Sequence, residues 1–462
     1  MKLFKKPIFV SISPNAQADD VWLALRLIFC PWRWKEGKCV EKFEEMLRKY
    51  LEEPVRGQDP DKVRAQTPDS TLPQPSPYKG EGAICLFESG RTALYAILQA
   101  LGIKQGDEVL IQAFTCTAAV NPILWVGAKP IYVDIEDGTY NMSPEDLKKK
   151  ITPRCKAVII QHTFGFPGRI NEILEIAQKH NLIVLEDCAH ALGAEYCNQK
   201  IGTFGEASFF SFGRSKVISS VFGGAAYTRN SELAEKIREI QRKWQYPSYR
   251  WILQQLFHPI YLAIAKQLYN FLGIGKMMIV IGKKLRLISI MVYSVEKSGG
   301  KPPFGPAKMP NALACLGINQ MKKLERFNEH RRRIAEFYHT QLSFLRKQES
   351  IKIPPDPPLQ KGGDGVFLNF PIQVKNFGTR WKLIGAARKK GAYLESWPAK
   401  DKKVVGPDNV NLEKLHYTEG TCPNAEKAAQ TSVNLPTSPN TTIDDARKVA
   451  KFLRKFFGEI KT

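Results

Sequence analysis

An α/β fold built on a mostly parallel sheet is what the sequence predicts, and three observations carry that reading. Apolar runs of six to eight residues recur between Ile84 and Thr228. Helical patterns separate most of them, as in RTALYAILQALG (91–102) and INEILEIAQKHN (170–181). The runs are continuous rather than alternating, the mark of strands covered on both faces.

Taken in order, the chain opens with an N-terminal arm, 1–53, whose apolar spacing from Val40 to Leu51 is helical, with charges on the other side. The stretch 54–82 is rich in Pro, Asp, Gly and Ser and reads as a surface loop or disordered insertion. A large α/β domain, 83–240, follows. Its seven strands are ICLFES (84–89), EVLIQAF (108–114), PIYVDI (130–135), KAVIIQHT (156–163), LIVLED (182–187), ASFFSF (207–212) and GGAAYT (223–228). Residues 241–300 form a basic, apolar helical insertion. In 249–297 its apolar faces are interrupted by Lys266, Lys276, Lys283, Lys284 and Arg286. The last part, 301–462, reads as a smaller α+β domain. It begins with one long helix over 310–342, broken only at Gly317, and carries a second Pro/Gly-rich loop at 346–365. Its end, TIDDARKVAKFLRKFF, is again helical.

The 462 residues include 68 Lys+Arg against 45 Asp+Glu, a formal charge of +23 that favours an anionic partner. No nucleic-acid motif accompanies it, and the basic residues spread along the chain, so nucleic acid is not expected. Nine scattered cysteines without a C-x-x-C predict no disulfide framework and fit a reducing cytoplasm. The apolar run near the start is too short for a signal peptide's core. No uncharged apolar run reaches the ~20 residues of a membrane span.

Three motifs fall where strands end, which in such sheets is where ligands sit. In ESGRTAL (88–94) a glycine turn opens a helix whose free N–H groups can face a phosphate. A plain strand-to-helix turn would look the same. In VLEDCAHALG (184–193), Asp187 closes a buried strand with His190 three residues on. Asp187 can pair with a protonated ring nitrogen, or simply cap a helix beside a neutral His190. A metal site from Asp187, Cys188, His190 and Cys197 lacks a ligand spacing and is set aside. In FFSFGRSKVISSVFGGAA (209–226), Lys216 follows Ser211 by five residues in apolar surroundings. It is either a turn lysine reaching solvent or an amine kept partly neutral for chemistry.

A phosphate turn, then Asp at a strand end, then Ser-x-x-x-x-Lys is the order used by fold-type I pyridoxal-phosphate enzymes. The chain resembles the DegT/DnrJ/EryC1/StrS aminotransferases, the sugar-aminotransferase family. The matching stretches include SGRTAL, GDEVLIQAFTCTAAVNPILWVGAKPIYVDI, VIIQHTFG, VLEDCAHALGA, FFSFGRSK, QMKKLERFNEHRRRIAEFY and CPNAEKAAQTSVNLP. The resemblance spans 30–53, 83–240 and 305–460 and implies the PLP-dependent transferase fold type I, with pyridoxal 5'-phosphate as cofactor. On it, Lys216 would carry the cofactor covalently and move the substrate proton. Asp187 would pair with the pyridinium nitrogen, and His190 would lie near the 3-hydroxyl. Ser211 with Gly90, Arg91 and Thr92 would hold the phosphate, and Cys116 would take the place of a ring-stacking aromatic residue.

The sequence departs from the family at four places. Arg91 stands where Ser or Thr is usual, and its guanidinium can meet a phosphate bidentately. Cys116 cannot stack. Pro306 and Lys308 replace an Asn-x-Arg pair that reaches the partner subunit, and 241–300 has no counterpart.

The implied reaction moves an amino group from glutamate or glutamine to a nucleotide-linked keto-sugar in amino-sugar or surface-polysaccharide biosynthesis, in a homodimer with active sites near the interface. A PLP-dependent sugar dehydratase is the alternative, but related dehydratases replace the lysine by histidine. A non-catalytic regulatory protein is the third reading. No metal is expected. Segment 249–297 reads as a helical hairpin packed on the small domain or the dimer partner, or as an anchor to anionic lipid at the inner membrane face.

Overall fold

The computed structural model describes residues 7–10, 12–54, 81–347, 350–353 and 363–459. Most of the 54–82 insertion, and the middle of 346–365, lie outside the described residues. Seven strands form the central sheet: β1 (Ala83–Phe87), β2 (Glu108–Gln112), β3 (Lys129–Val133), β4 (Cys155–Gln161), β5 (Ile183–Asp187), β6 (Ala207–Ser211) and β7 (Gly224–Thr228). Their order across the sheet is β1-β7-β6-β5-β4-β2-β3, and β7 alone runs antiparallel to its neighbours. All seven lie within two residues of the spans expected from their apolar runs.

Alternate residues of each strand feed opposite cores. Cys85, Phe87, Val109, Ile111, Ala157, Ile159, Leu185, Phe209 and Ala226 pack on one face. Helices Gly90–Ala100 and Thr117–Trp125 cover it with Leu94, Ile97, Val120 and Ile123. Ile84, Leu86, Phe210 and Ala225 point the other way, to Phe43 and Leu47 of helix Cys39–Glu52 and Trp251 and Ile252 of helix Tyr249–Gln267. Leu110, Val158, Ile160 and Val184 meet Ile173 and Ile176 of helix Ile170–Lys179. Two-sided burial is why the strands read as continuous apolar runs.

The expected helix over 310–342 is two helices, Asn311–Met321 and Leu324–Lys347, parted at Lys322–Lys323. Gly317 is no breaker. It sits inside the first helix because the Phe43 ring lies 2.4 Å from where its Cβ would be. Helix Leu324–Lys347 packs against the C-terminal helix Ile443–Glu459. Between them in sequence, Ile351–Lys352, Phe370–Val374 and Ser432–Leu435 make a three-stranded antiparallel sheet. The flanks of the expected 346–365 loop are thus partly strand. Gly363–Asp364 pairs with Glu195–Tyr196 as well.

No disulfide framework is present among the described residues, but one bridge is, and the scattered cysteines do not point to it: Cys39 and Cys315 are bonded, with Cα atoms 5.2 Å apart. The bridge fastens the start of helix Cys39–Glu52 to helix Asn311–Met321, two elements already sharing the Phe43–Gly317 contact. The helical insertion is a hairpin of Tyr249–Gln267 and Ile274–Lys284. Its first helix packs on helix Ala18–Ile28 and on Asn311–Met321. Gly275 and Gly282 let the second helix press close, against Ala265, Tyr269 and Tyr261.

Candidate active site

The sheet brings the three motifs to one end. Gly224, at the start of the reversed strand, pairs with both Phe87 and Ser211, and Asp187 pairs with Phe209 and Gln161. Space there is tight. A Cβ on Gly224 would lie 2.3 Å from the Gly90 nitrogen, and one on Gly90 would lie 3.0 Å from the Ser211 Cβ. Only residues without a side chain let the helix N-terminus at Gly90 meet the end of β6. Gly90, Arg91, Cys116, Asp187, His190, Ser211 and Lys216 all line a single cavity of about 300 Å³. Thr92 does not line it. Its Oγ1 donates to the Glu88 carboxylate, and its N–H donates to Ser89 Oγ, which caps the helix.

Lys216 sits on the connection between β6 and β7, its N–H bonded to the Gly213 carbonyl at 3.1 Å. Burial pushes its amine below the ordinary lysine range, against the pull of the Asp187 carboxylate. Asp187 is buried, and its Oδ1 accepts the Ala189 N–H at 2.9 Å. Burial raises its carboxyl, opposed by that hydrogen bond and then by the Lys216 charge. His190 accepts the Phe164 N–H at Nδ1, 3.3 Å away, which leaves Nε2 as the protonated nitrogen. Burial, and next the Lys216 charge, hold the ring neutral, well below its ordinary value. Trp397 lies edge-on to it, ring centres 5.3 Å apart, and supplies aromatic surface to a cavity in which Cys116 has none.

Other residues of the site come from far along the chain. Asn15 and Arg331 fix the backbone at the lysine. Arg331 Nη2 donates to the Val217 carbonyl at 2.7 Å and to Asn15 Oδ1 at 2.9 Å, while Asn15 Nδ2 reaches the Lys216 and Val217 carbonyls. Gln161 and Thr115 share a 2.6 Å hydrogen bond on the cavity wall. Met291 and Val292, returning from the helical hairpin, form another wall. Arg91 turns its guanidinium onto that return: Nη1 pairs with the Glu296 carboxylate and Nη2 donates to the Met291 carbonyl at 2.8 Å. No local motif announces these residues. Only the unusual Arg91 hints that an acid must be found for it.

Glu186, beside Asp187, is structural. With His162 and Cys188 it places three ligand-type atoms within 4.8 Å of one another. Its carboxylate is taken by the N–H groups of Gly202, Phe204 and Gly205 at 2.7–2.9 Å and by His162 at 3.3 Å. That set anchors the 202–205 turn to β5 and leaves Asp187 facing the cavity.

The donor set fits a flat aromatic aldehyde bearing a phosphate. It offers a depressed amine, a buried carboxyl for a ring nitrogen, and a helix N-terminus with a hydroxyl for the phosphate.

The sequence profile of the DegT/DnrJ/EryC1/StrS aminotransferase family matches residues 76–248 and 289–454, leaving out 249–288 of the helical hairpin. GDP-perosamine synthase of Caulobacter vibrioides is 39% identical over 363 residues, 78% of this chain and 82% of that protein. The UDP-N-acetyl-3-dehydro-alpha-D-glucosamine 3-aminotransferase of Acidithiobacillus ferrooxidans is 28% identical over 79% of this chain and 82% of its own. The fold is that of NtdA from Bacillus subtilis, solved with bound cofactor PMP. The two superpose with a TM-score of 0.70 at 22% identity, over 98% of this chain and 85% of that one.

Proposed function

This chain belongs to the DegT/DnrJ/EryC1/StrS aminotransferase family, and from that premise we propose that it moves an amino group from glutamate or glutamine to a keto-sugar carried on a nucleotide. Its class of activity is that of a sugar aminotransferase, and its cofactor is pyridoxal 5'-phosphate. The relatives' names support a nucleotide-linked acceptor, and the +23 charge suits a diphosphate. The observation that carries the reading is Lys216, an amine of depressed basicity in one cavity with Asp187 and the Gly90–Ser211 corner. It also favours transamination over the dehydratase reading, which has no use for a lysine there.

Bound pyridoxal phosphate supplies an electron sink for the substrate carbon. Lys216 would hold the cofactor covalently, and its amine would take and return the proton on the substrate carbon that changes bonding. Asp187 would stabilise charge on the ring nitrogen. His190, kept neutral, would offer its Nε2 proton to the ring's oxygen. Gly90 and Ser211 would bind the phosphate, and Trp397 would cover part of the site.

The test is borohydride reduction of the yellow protein, followed by peptide mapping. The adduct is expected on Lys216 at pH values below the ordinary lysine range, and Lys216→Ala should lose both adduct and transamination while staying folded. Trapping at another lysine overturns the assignment. Turnover with a panel of nucleotide keto-sugars and either donor then identifies the acceptor.

Two properties of the assembly belong to the same reading. The protein acts as a homodimer. It also meets anionic lipid peripherally through helix Ile274–Lys284 and its two flanks, where Leu272, Met277, Val280 and Leu285 stand exposed among Lys276, Lys283, Lys284 and Arg286. Among the described residues no helix is long and apolar enough to cross a membrane.

A further inference from the structure

Arg91 lies in the first turn of the helix that faces the cofactor phosphate, yet its guanidinium is committed elsewhere. Its partner Glu296 is fully buried. One carboxylate oxygen pairs with Arg91 and the other accepts the Tyr293 N–H at 2.8 Å. The Glu296 backbone carbonyl accepts Asn121 Nδ2, also at 2.8 Å, from helix Thr117–Trp125. The nearby acid Glu88 also acts on Arg91 through its charge, but its oxygens are taken by Ser89 Oγ, Thr92 Oγ1 and the Ala307 N–H, so it makes no direct ion pair with the guanidinium. Glu296 is therefore the carboxylate that pairs with Arg91, and the segment carrying both Glu296 and the wall residues Met291 and Val292 is pinned from two sides.

We propose that Glu296 is a positioning residue that sets the charge of the cofactor-phosphate site: it neutralises Arg91 and turns it onto the Met291–Glu296 return segment, leaving the phosphate to the Gly90 turn and Ser211. The inference rests on the cofactor reading above and deepens it. A neutralised guanidinium contributes little attraction to a dianion. An unpaired one, buried at the same spot, attracts it strongly because the interior screens charge weakly. The pair thus keeps the phosphate site weaker than its residues would allow.

The experiment uses full-length protein stripped of cofactor, titrated with inorganic phosphate and followed by thermal shift, with pyridoxal 5'-phosphate as competitor. Glu296→Gln keeps the shape and removes the charge. It is expected to melt lower without phosphate and to bind phosphate at least ~10-fold more tightly than wild type. A merely structural defect would loosen binding, not tighten it. The double variant Arg91→Thr with Glu296→Gln loses both charges, and its phosphate affinity should return to within about threefold of wild type. If Glu296→Gln does not fold, the double variant still decides: binding much weaker than wild type means that Arg91 already serves the phosphate, and the proposal falls. Unchanged or weaker binding by folded Glu296→Gln also overturns it, leaving the cofactor reading intact. If wild type binds no phosphate that the cofactor displaces, both readings fail together.

Discussion

Asp187 is buried, so little water shares its carboxyl, and a cation beside it is what would keep it charged. Asp187→Asn keeps its shape and its hydrogen bond from Ala189 but cannot stabilise a protonated ring nitrogen. Transamination should fall by at least ~100-fold, the scale of losing one preorganised electrostatic contact, with the borohydride adduct still on Lys216. Turnover within a few-fold of wild type would show a different cofactor pose. At this scale the sequence was legible wherever neighbours in the chain are neighbours in the site. Asp187 and His190 share one turn, and Ser211 and Lys216 share another, so their spacing could be read directly. Asn15, Arg331, Trp397 and Glu296 could not be found in this way. Each comes to the site from another element, and nothing beside Lys216 in sequence announces the guanidinium that holds its backbone. The sequence showed Arg91 beside the phosphate turn but not the buried acid Glu296 opposite it, which lies 205 residues further on.

Helix Ile274–Lys284 has two unlike sides. Gly275 and Gly282 face inward, and Met277, Val280 and Ile281 face out beside the lysines. Removing the whole hairpin would be a poor test of lipid binding, since Trp251 is core and the return segment walls the active site. Val280→Glu with Lys283→Glu and Lys284→Glu alters the outer side alone. Wild type should sediment with anionic vesicles at low salt and ignore neutral ones, and the triple variant should stay in the supernatant with its activity intact. Equal sedimentation of both would refute the anchor. The seven strands were legible because burial on both faces leaves one signal, a continuous apolar run. Helix ends were less so. The break at Lys322–Lys323 carries no Gly or Pro, while Gly317 looked like a breaker and is a packing residue against Phe43.

For the whole molecule, Trp22, Phe29 and Trp32 are each about 70% exposed on one short stretch near the N-terminus, apolar area that a lone subunit leaves wet. Light scattering should report a dimer, and Phe29→Glu with Trp32→Glu should shift it toward monomer. A wild-type monomer that turns over would contradict the assembly proposed here. The layered architecture was legible from the alternation of strands and helices. The Cys39–Cys315 bridge was not, because nine scattered cysteines gave no pairing signal and the two meet only through tertiary contact. The reversed strand β7 has a further consequence, which concerns the order of events on the ribosome. β1 finds its partner only when Gly224–Thr228 has emerged, so the sheet's first strand waits for its last. Through that wait the β1 edge stays unpaired, a hazard that slow, non-local pairing imposes on the nascent chain. The same event brings Gly90 against Gly224 and seats Ser211 beside it, so the phosphate corner is completed only as the sheet closes. Cofactor arriving earlier would find no complete corner to bind, and once the sheet has closed it would act as a clasp on the pair of strands that met last.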